Sequence, residues 1–171
     1  MDFSYTEEQQ MLQGMVQKFV QKDYDFETRN KIVASDKGYS EENWGTFAEL
    51  GWLSVPFTEE DGGFGGSAVD LIVMMEEFGR AMLVEPFVPT AVFCGALVSS
   101  LGSDSQKADL IGKIMGGSLQ LACAHVEQSG RYNPASITTT AVSEGDFIVL
   151  NGEKISVLNG ANADKLLVIA R

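Results

Sequence analysis

Basic residues are scarce in this chain. Twelve Lys and Arg residues stand against 24 Asp and Glu residues, so the formal net charge is −12 at pH 7. A surface of this sign repels the phosphates of nucleic acids and the head groups of anionic membranes at long range. The composition therefore argues against a nucleic-acid partner and against a membrane partner.

Cysteine and histidine are rare as well, with two cysteines and one histidine in the chain. Cys94 and Cys123 each lie inside an apolar run, which argues against a disulfide framework and favours a reducing compartment. His125 is isolated in a strand-like run, so we expect no metal site. No apolar run is long enough to span a bilayer and the amino terminus carries no targeting pattern, so we expect a cytoplasmic protein.

Helical patterns dominate residues 1–117. Thr6 and Ser103 each begin a capping box, with a Gln three residues later and apolar residues at helical spacing behind it. Ser40 is typical of a third helix start. The run from Ala68 to Met82 is apolar on almost every face, which predicts a helix enclosed by other helices.

Two details of this helical region carry further expectations. Glu76 and Glu77 lie one turn before Arg80, so we expect a salt-bridged polar stripe rather than paired acid–base carboxylates. The run from Thr90 to Leu101 predicts another apolar helix. The methionines after the first residue are expected to fill the core.

The pattern changes after Gly116-Gly117. Five short β-branched and apolar runs follow, separated by turn residues: LQLACA, ITTTAV, DFIVL, KISVL and KLLVIA. Asn151-Gly152 stands where a tight hairpin is expected. The order predicts an α+β fold, with an amino-terminal all-α helical bundle over residues 1–117 and part of an antiparallel β domain over residues 118–171. Because the last run reaches Arg171, we expect an incomplete β domain, left by proteolysis or by deliberate truncation.

A glycine-rich stretch, EEDGGFGGS, precedes the helix that begins near Ala68. Exposed N–H groups at a helix start attract anions, which suggests a phosphate-binding loop. However, the stretch has neither the G-x-G-x-x-G spacing of dinucleotide-binding proteins nor the Gly-Lys-Ser/Thr of a P-loop. We therefore expect its glycines to serve backbone geometry rather than ligand contact.

Taken together, these segments resemble the amino-terminal half of the acyl-CoA dehydrogenases. The resemblance rests on FSYTEEQQML, on the loop GWLSVPFTEEDGG with the helix after it, and on NGEK and NGANAD in the β region. It implies a helical domain, a β domain and a carboxy-terminal four-helix bundle, with FAD between the last two. It also implies that the base removing the α-proton lies beyond Arg171, so no catalytic residue is expected within this chain.

Two motifs depart from the pattern of the family. Many members carry T-E-P-x-x-G-S-D after the first strand, where this chain has VEQSGRYN and keeps only Glu127. Many members carry W-I-T before an Asn-Gly pair, where this chain has Ser-Val-Leu at 156–158. A flavin acceptor left unpaired by the missing hydroxyl would cost about 1–3 kcal/mol.

The resemblance nevertheless implies where a flavin would touch this chain. The expected cofactor contacts are the backbone groups of His125 and Val126, together with Ser156 and Leu158. Arg131 is a candidate to pair with a CoA phosphate or with the distal carboxylate of a dicarboxylyl substrate.

Two functions stay open at this point. The chain is expected to be the amino-terminal fragment of an FAD-dependent subunit that dehydrogenates an acyl-CoA thioester at the α and β carbons, and to be inactive by itself. The alternative is a non-catalytic partner subunit of a heteromeric acyl-CoA dehydrogenase, because the chain resembles the small subunits of pimeloyl-CoA dehydrogenase-type enzymes. The implied partners are an acyl-CoA, an electron-transfer flavoprotein or similar acceptor, and other subunits of a homo- or hetero-oligomer.

Overall fold

The structure is a computed structural model that describes residues 4–130 and 133–171. It confirms the predicted fold class, because helices come first and a small sheet region follows. The helices are α1 (Glu7–Asp23), α2 (Phe26–Val33), α3 (Glu41–Glu49), α4 (Ala68–Arg80), α5 (Gly95–Leu101) and α6 (Asp104–Met115), with a 3₁₀ turn at Trp52–Ser54 and a π-helical segment at Val88–Cys94. The strands are β1 (Leu121–Ala124), β2 (Thr140–Glu144), β3 (Phe147–Asn151) and β4 (Lys165–Val168). Within the described ranges, no helix is long and apolar enough to cross a membrane.

Short polar side chains start the helices where the sequence predicts them. The hydroxyl of Thr6 accepts a hydrogen bond from the N–H of Gln9 (3.2 Å), and the side chain of Gln9 accepts one from the N–H of Thr6 (3.1 Å). Ser103 forms the same kind of box at α6, so both predicted capping boxes are confirmed. A third box, which sequence reasoning missed, joins Ser67 to Asp70 at α4. Each such cap contributes about 1 kcal/mol to helix stability.

An aromatic cluster forms the centre of the helical core. Phe47 of α3 is fully buried, and its ring centroid lies 5.4 Å from Phe19, 5.0 Å from Trp52 and 5.5 Å from Phe78. Aromatic pairs at these separations contribute about 0.5–1.5 kcal/mol each beyond the area that they bury. The cluster therefore holds α1, α3 and α4 together around one core.

Helix α4 is less enclosed than its sequence predicts. Val73, Met74 and Phe78 are buried, but Val69 and Ile72 are 42% and 57% exposed. The prediction of a helix covered on all sides is wrong for this outer face. The expectation that the methionines fill the core is wrong for the four that are 36–68% exposed: Met11, Met15, Met75 and Met82.

The predicted salt-bridged stripe on α4 is confirmed. Arg80 Nη2 lies 2.6 Å from Glu76 Oε1, and Arg80 Nη1 pairs with Glu77 Oε1. Unlike a simple surface stripe, it includes a buried member, because Glu77 is only 1% exposed and Gln13 of α1 donates to it at 3.4 Å. The stripe thus links α4 to α1, which packs against it.

The helix predicted over Thr90–Leu101 begins two residues earlier, at Val88, and its first turns have the wider π-helical geometry. The segment Val88–Cys94 is π-helical and continues directly into α5. The buried hydroxyl of Thr90 donates to the carbonyl oxygen of Leu121 (3.0 Å), which ties this segment to β1. Segments of π-helix are frequent at functional sites, and this one lies beside the surface described below.

The strands form two pairs. β1 and β4 are parallel, with Leu121 opposite Lys165, and β2 and β3 are antiparallel, with Glu144 opposite Phe147. The predicted antiparallel pairing therefore holds for β2 and β3 but not for β1 and β4. Arg171 joins the two pairs, since its N–H donates to the carbonyl oxygen of Thr139 (3.1 Å) and its carbonyl accepts from Ala141 (2.8 Å).

Two local predictions in the β region are wrong. The hairpin turns at Gly145-Asp146, where Gly145 has φ +63°, whereas Asn151-Gly152 stands at the end of β3. The run KISVL forms no strand, because Ser156 has φ +53°, a left-handed conformation that interrupts an extended chain. This interruption shapes the candidate site.

Candidate functional site

The glycine-rich loop is not an anion cradle. Its N–H groups donate to backbone carbonyl oxygens of the segment just before it: Gly63 to Thr58 (2.8 Å), Phe64 to Ser54 (3.1 Å), Gly65 to Phe57 (2.8 Å) and Gly66 to Val55 (3.0 Å). Backbone donors that are already paired offer nothing to a phosphate. A Cβ on Gly66 would lie 2.6 Å from the carbonyl oxygen of Val55, so close backbone approach explains this glycine.

The candidate site lies where the chain leaves β1. His125 is exposed, and its Nδ1 lies 3.3 Å from the carbonyl oxygen of Cys123. The ring of Phe93, which comes from the π-helical segment and is 40% exposed, meets the His125 ring edge-on at a centroid distance of 5.5 Å. Val126 is half-buried. The π-helical segment and the end of β1 thus share one open surface.

A second segment runs beside this end of β1 in the opposite direction. The N–H of Ile155 donates to the carbonyl oxygen of Val126 (2.9 Å), and the side-chain amide of Asn159 donates to Gln120 Oε1 (3.1 Å). Between these two anchors the chain carries Ser156, which is exposed, and Leu158, which is 67% exposed. Sequence reasoning selected both segments, and the structure brings them side by side.

Three backbone donors along this surface are not paired with the described backbone. Over residues 4–130 and 133–171, the N–H groups of His125, Val126 and Leu158 donate to no backbone carbonyl oxygen. Such groups are available to the acceptor atoms of a ligand. A flavin ring has apolar faces and an edge of carbonyl and nitrogen acceptors, so these N–H groups next to exposed apolar side chains fit it. The hydroxyl of Ser156 is the polar side-chain group that the second segment adds.

Glu127, which directly follows Val126, links the end of β1 to the second segment through an ion pair with Lys154. Its carboxylate is 4% exposed and accepts hydrogen bonds from both the N–H and the hydroxyl of Thr138 and of Thr139. The ammonium group of Lys154 lies 2.7 Å from Glu127 Oε1, and it too is buried. First Lys154 and then the threonine donors hold the pKa of Glu127 well below its ordinary value. The carboxylate therefore stays ionised and structural, rather than serving as a proton acceptor.

A polar cleft of about 330 Å³ lies in front of this network. It is lined by Glu127, Gln128, Ser129, Thr138, Glu153 and Ile155. Ile155, which anchors the second segment beside Val126, also lines this cleft together with Glu127. Sequence reasoning noted Glu127 as a retained family residue, but the burial that gives it this role depends on tertiary contacts with Lys154.

The remaining candidate residues contribute less. Arg131, the predicted substrate contact, lies outside the described residues. Burial raises the pKa of Cys94 to about 12 and also raises the pKa of Cys123, so neither thiol is a ready nucleophile. Among the residues that the structure describes, no cluster of three His, Cys, Asp or Glu side chains is arranged to hold a metal ion. At this surface the described residues present backbone donors beside exposed apolar side chains.

Comparison with known proteins relates these features to one family. The family model "Acyl-CoA dehydrogenase, N-terminal domain" matches residues 6–118. The chain is 29% identical over 176 aligned positions to the short-chain specific acyl-CoA dehydrogenase of Clostridium acetobutylicum, and the match covers 99% of this chain and 45% of that protein. The chain thus spans less than half the length of this curated relative.

Solved structures show the same fold. A chain of the ChsE4–ChsE5 complex from Mycobacterium tuberculosis is similar with a TM-score of 0.86 at 27% identity, covering 100% of this chain and 44% of that one. A chain in the structure of the electron-transferring flavoprotein of Acidaminococcus fermentans is similar with a TM-score of 0.85 at 28% identity, covering 99% and 45%.

Proposed function

Because this chain belongs to the acyl-CoA dehydrogenase family through the amino-terminal domain that it matches over residues 6–118, we propose that it supplies the first part of an FAD-dependent dehydrogenase subunit. The subunit would introduce a double bond between the α and β carbons of an acyl-CoA thioester. In this proposal residues 1–117 form the helical domain and residues 118–171 begin the β domain. The cell compartment is the cytoplasm, in keeping with two buried free thiols.

One observation carries the flavin part of the proposal. The N–H groups of His125, Val126 and Leu158 donate to no described backbone carbonyl oxygen, and the ring of Phe93 lies against the His125 ring. Bound FAD would supply the acceptor for the hydride that leaves the substrate's β carbon. The residues of this chain would bind the ring edge and orient it, while Glu127 and Lys154 keep the two contacting segments in register. The proposal assigns no proton transfer to this chain.

Leu158 offers a sharp test of this assignment. Leu158→Thr adds a hydroxyl donor at an exposed position. Leu158→Val is the matched control, because valine has nearly the same shape as threonine but lacks the hydroxyl. If a flavin edge lies here, the threonine variant should bind FAD about tenfold more tightly than the valine variant, equivalent to about 1.4 kcal/mol for one added hydrogen bond. Fluorescence titration of FAD with each variant measures the difference. Equal affinities of the two variants would refute a flavin contact at this residue.

Activity requires a separate measurement on the complete reading frame. The coding sequence is read beyond Arg171, and the protein that it encodes is purified. A yellow protein whose flavin absorbance bleaches on addition of an acyl-CoA supports the dehydrogenase. A colourless protein that bleaches no added FAD contradicts it.

A non-catalytic subunit is the second candidate. Leu158 favours it, because an apolar side chain stands where a hydroxyl donor is expected, and a similar chain belongs to the two-protein ChsE4–ChsE5 complex. In that case the purified protein would be colourless and a second subunit would carry the flavin. The partners proposed in either case are an acyl-CoA, an electron-transfer flavoprotein and further subunits.

A further inference from the structure

A second polar cleft lies between the start of α3 and the turn that leads into β4. Its volume is about 330 Å³, within the range of about 300–1,000 Å³ that is typical of small-molecule pockets. It shares no residue with the surface around His125 and Leu158. We call it the Gln120 cleft, and its wall includes six polar side chains: Lys37, Tyr39, Glu41, Gln120, Asn162 and Asp164.

Gln120 gives this cleft a buried amide group. The residue is only 5% exposed, yet it lines the cleft. Its Oε1 accepts a hydrogen bond from the side-chain amide of Asn159 (3.1 Å). Within residues 4–130 and 133–171 this is the one hydrogen bond of the Gln120 side chain, so its two Nε2 donors are left for whatever occupies the cleft. Buried side-chain donors are normally paired, so this amide calls for an acceptor from a ligand.

Charged groups of both signs line the same cleft. Lys37 Nζ lies 2.6 Å from Glu41 Oε1. First this hydrogen bond, and to a smaller extent the charge of Asp164, raise the pKa of Lys37, so its ammonium group stays charged. Asp164 Oδ2 accepts a hydrogen bond from the N–H of Gln120 (2.7 Å), while its Oδ1 accepts none from the described residues. The cleft therefore offers partners to a negative group and to a positive group at once.

Contacts between the two sides of the cleft hold its wall in place. The side-chain amide of Asn162 donates to the carbonyl oxygen of Lys37 (2.9 Å), which joins the turn before β4 to the segment before α3. The N–H of Asp164 donates to the carbonyl oxygen of Gln120 (2.9 Å). A wall that is already ordered spares a ligand the entropic cost of ordering it.

We propose that the Gln120 cleft binds a small zwitterion, such as a free α-amino acid. The carboxylate of the ligand would accept hydrogen bonds from Gln120 Nε2 and pair with Lys37. Its ammonium group would pair with Asp164 and Glu41. An anion alone would meet two carboxylates and a cation alone would meet the Lys37 ammonium, so a ligand with one charge uses only part of the cleft. This inference goes beyond the proposed dehydrogenase function and does not depend on it.

Three small probes test the charge requirement on the flavin-free protein. L-Alanine carries both charged groups, propionate lacks the ammonium group, and ethylamine lacks the carboxylate. Each probe is titrated at neutral pH and equal ionic strength, and the backbone amide signals of Gly117 and Ser118, which line the cleft, report binding by ¹H–¹⁵N NMR. We expect L-alanine to bind at least tenfold more tightly than either other probe. No shift with L-alanine, or an equal affinity of propionate or ethylamine, would overturn the inference.

Asp164→Asn tests the partner of the ammonium group. Asparagine keeps an oxygen for the N–H of Gln120 and removes the negative charge. L-Alanine should therefore bind at least tenfold more weakly, whereas propionate, which has no ammonium group, should bind no more weakly. The matched control is Glu144→Gln, which removes a negative charge from an exposed residue of β2 outside the cleft and should change neither affinity. An unchanged affinity for L-alanine in Asp164→Asn, or an equal loss for both ligands, would contradict the proposal.

Gly45→Leu tests the location of the site. Gly45 of α3 lines the cleft, and a Cβ there meets no atom within 4 Å, so the leucine should fold normally, fill the cleft and abolish binding of L-alanine. The matched control is Gly14→Leu on α1, another open helical glycine, which should leave binding unchanged. Calorimetry checks that both variants unfold cooperatively. Full binding in Gly45→Leu, or loss of binding in Gly14→Leu, would show that L-alanine does not bind in this cleft.

Discussion

Replacement of Gly63 by alanine tests whether backbone packing holds the glycine-rich loop. A Cβ on Gly63 would overlap the carbonyl oxygen of Phe57 and lie 2.7 Å from its carbonyl carbon. Phe57 is 1% exposed, so it cannot move aside without disturbing the core. Overpacking of this kind costs about 1–3 kcal/mol. If the loop opens instead, the 2.8 Å bond from Gly63 to Thr58 is lost, at a cost of about 0.5–1.5 kcal/mol.

The expected net change is the packing cost minus one gain, because opening of the loop is the alternative to the clash. Alanine restricts the unfolded chain, which offsets about 0.4–1 kcal/mol. We therefore expect the free energy of unfolding to fall by about 0.5–2.5 kcal/mol and Tm to fall by about 1–10 °C. Urea denaturation and calorimetry measure both quantities. Gly45→Ala on α3 is the control, because its Cβ meets nothing within 4 Å and should stabilise the helix by about 0.5–1 kcal/mol. A Gly63→Ala protein as stable as the wild type would refute the packing argument.

Acid should weaken the fold partly through Glu127, whose pKa its partners hold below the ordinary 4.5. Its contribution is present above that value and is lost as the pH falls toward the folded-state pKa, so Tm should decline less on acidification in Glu127→Gln; equal declines would contradict this. Because burial raises the pKa of Cys94 to about 12, neither thiol should react with a disulfide reagent at about pH 8 until the protein is denatured, and rapid reaction of the native protein would count against this. Arg80→Met removes the ion-pair partner of buried Glu77 and should lower the free energy of unfolding in urea by about 1–3 kcal/mol, whereas Glu76→Gln should change it by less than about 1 kcal/mol; similar losses would argue against the role of burial.

Local signals predicted most of the helical part. The capping boxes at Thr6 and Ser103 depend on residues three apart, so the sequence alone contains the whole motif. Hairpin position was harder to predict, because Gly145-Asp146 and Asn151-Gly152 both follow strand-like runs and both suit a tight turn. The choice between them depends on cross-strand pairing, such as Val142 opposite Val149, which is a tertiary property.

The candidate site was predicted in outline only. The resemblance selected His125, Val126, Ser156 and Leu158, and the structure brings their two segments together. The left-handed backbone of Ser156 could not be predicted, since a serine flanked by Ile and Val reads as strand. The burial of Glu85 and Glu127 could not be predicted either. Glutamate is usually exposed, and these two are buried by parts of the chain that are distant in sequence.

The parallel pairing of β1 with β4 has a kinetic consequence. Leu121 pairs with Lys165, while the β2–β3 hairpin brings Glu144 to Phe147, a loop roughly fifteen times shorter. Closing the longer loop costs about 2 kcal/mol more in chain entropy, so the hairpin can form within microseconds and the parallel pair must follow it. Both tryptophans lie in the helical core. During refolding, tryptophan fluorescence should therefore recover before the surface around Val126 has been assembled.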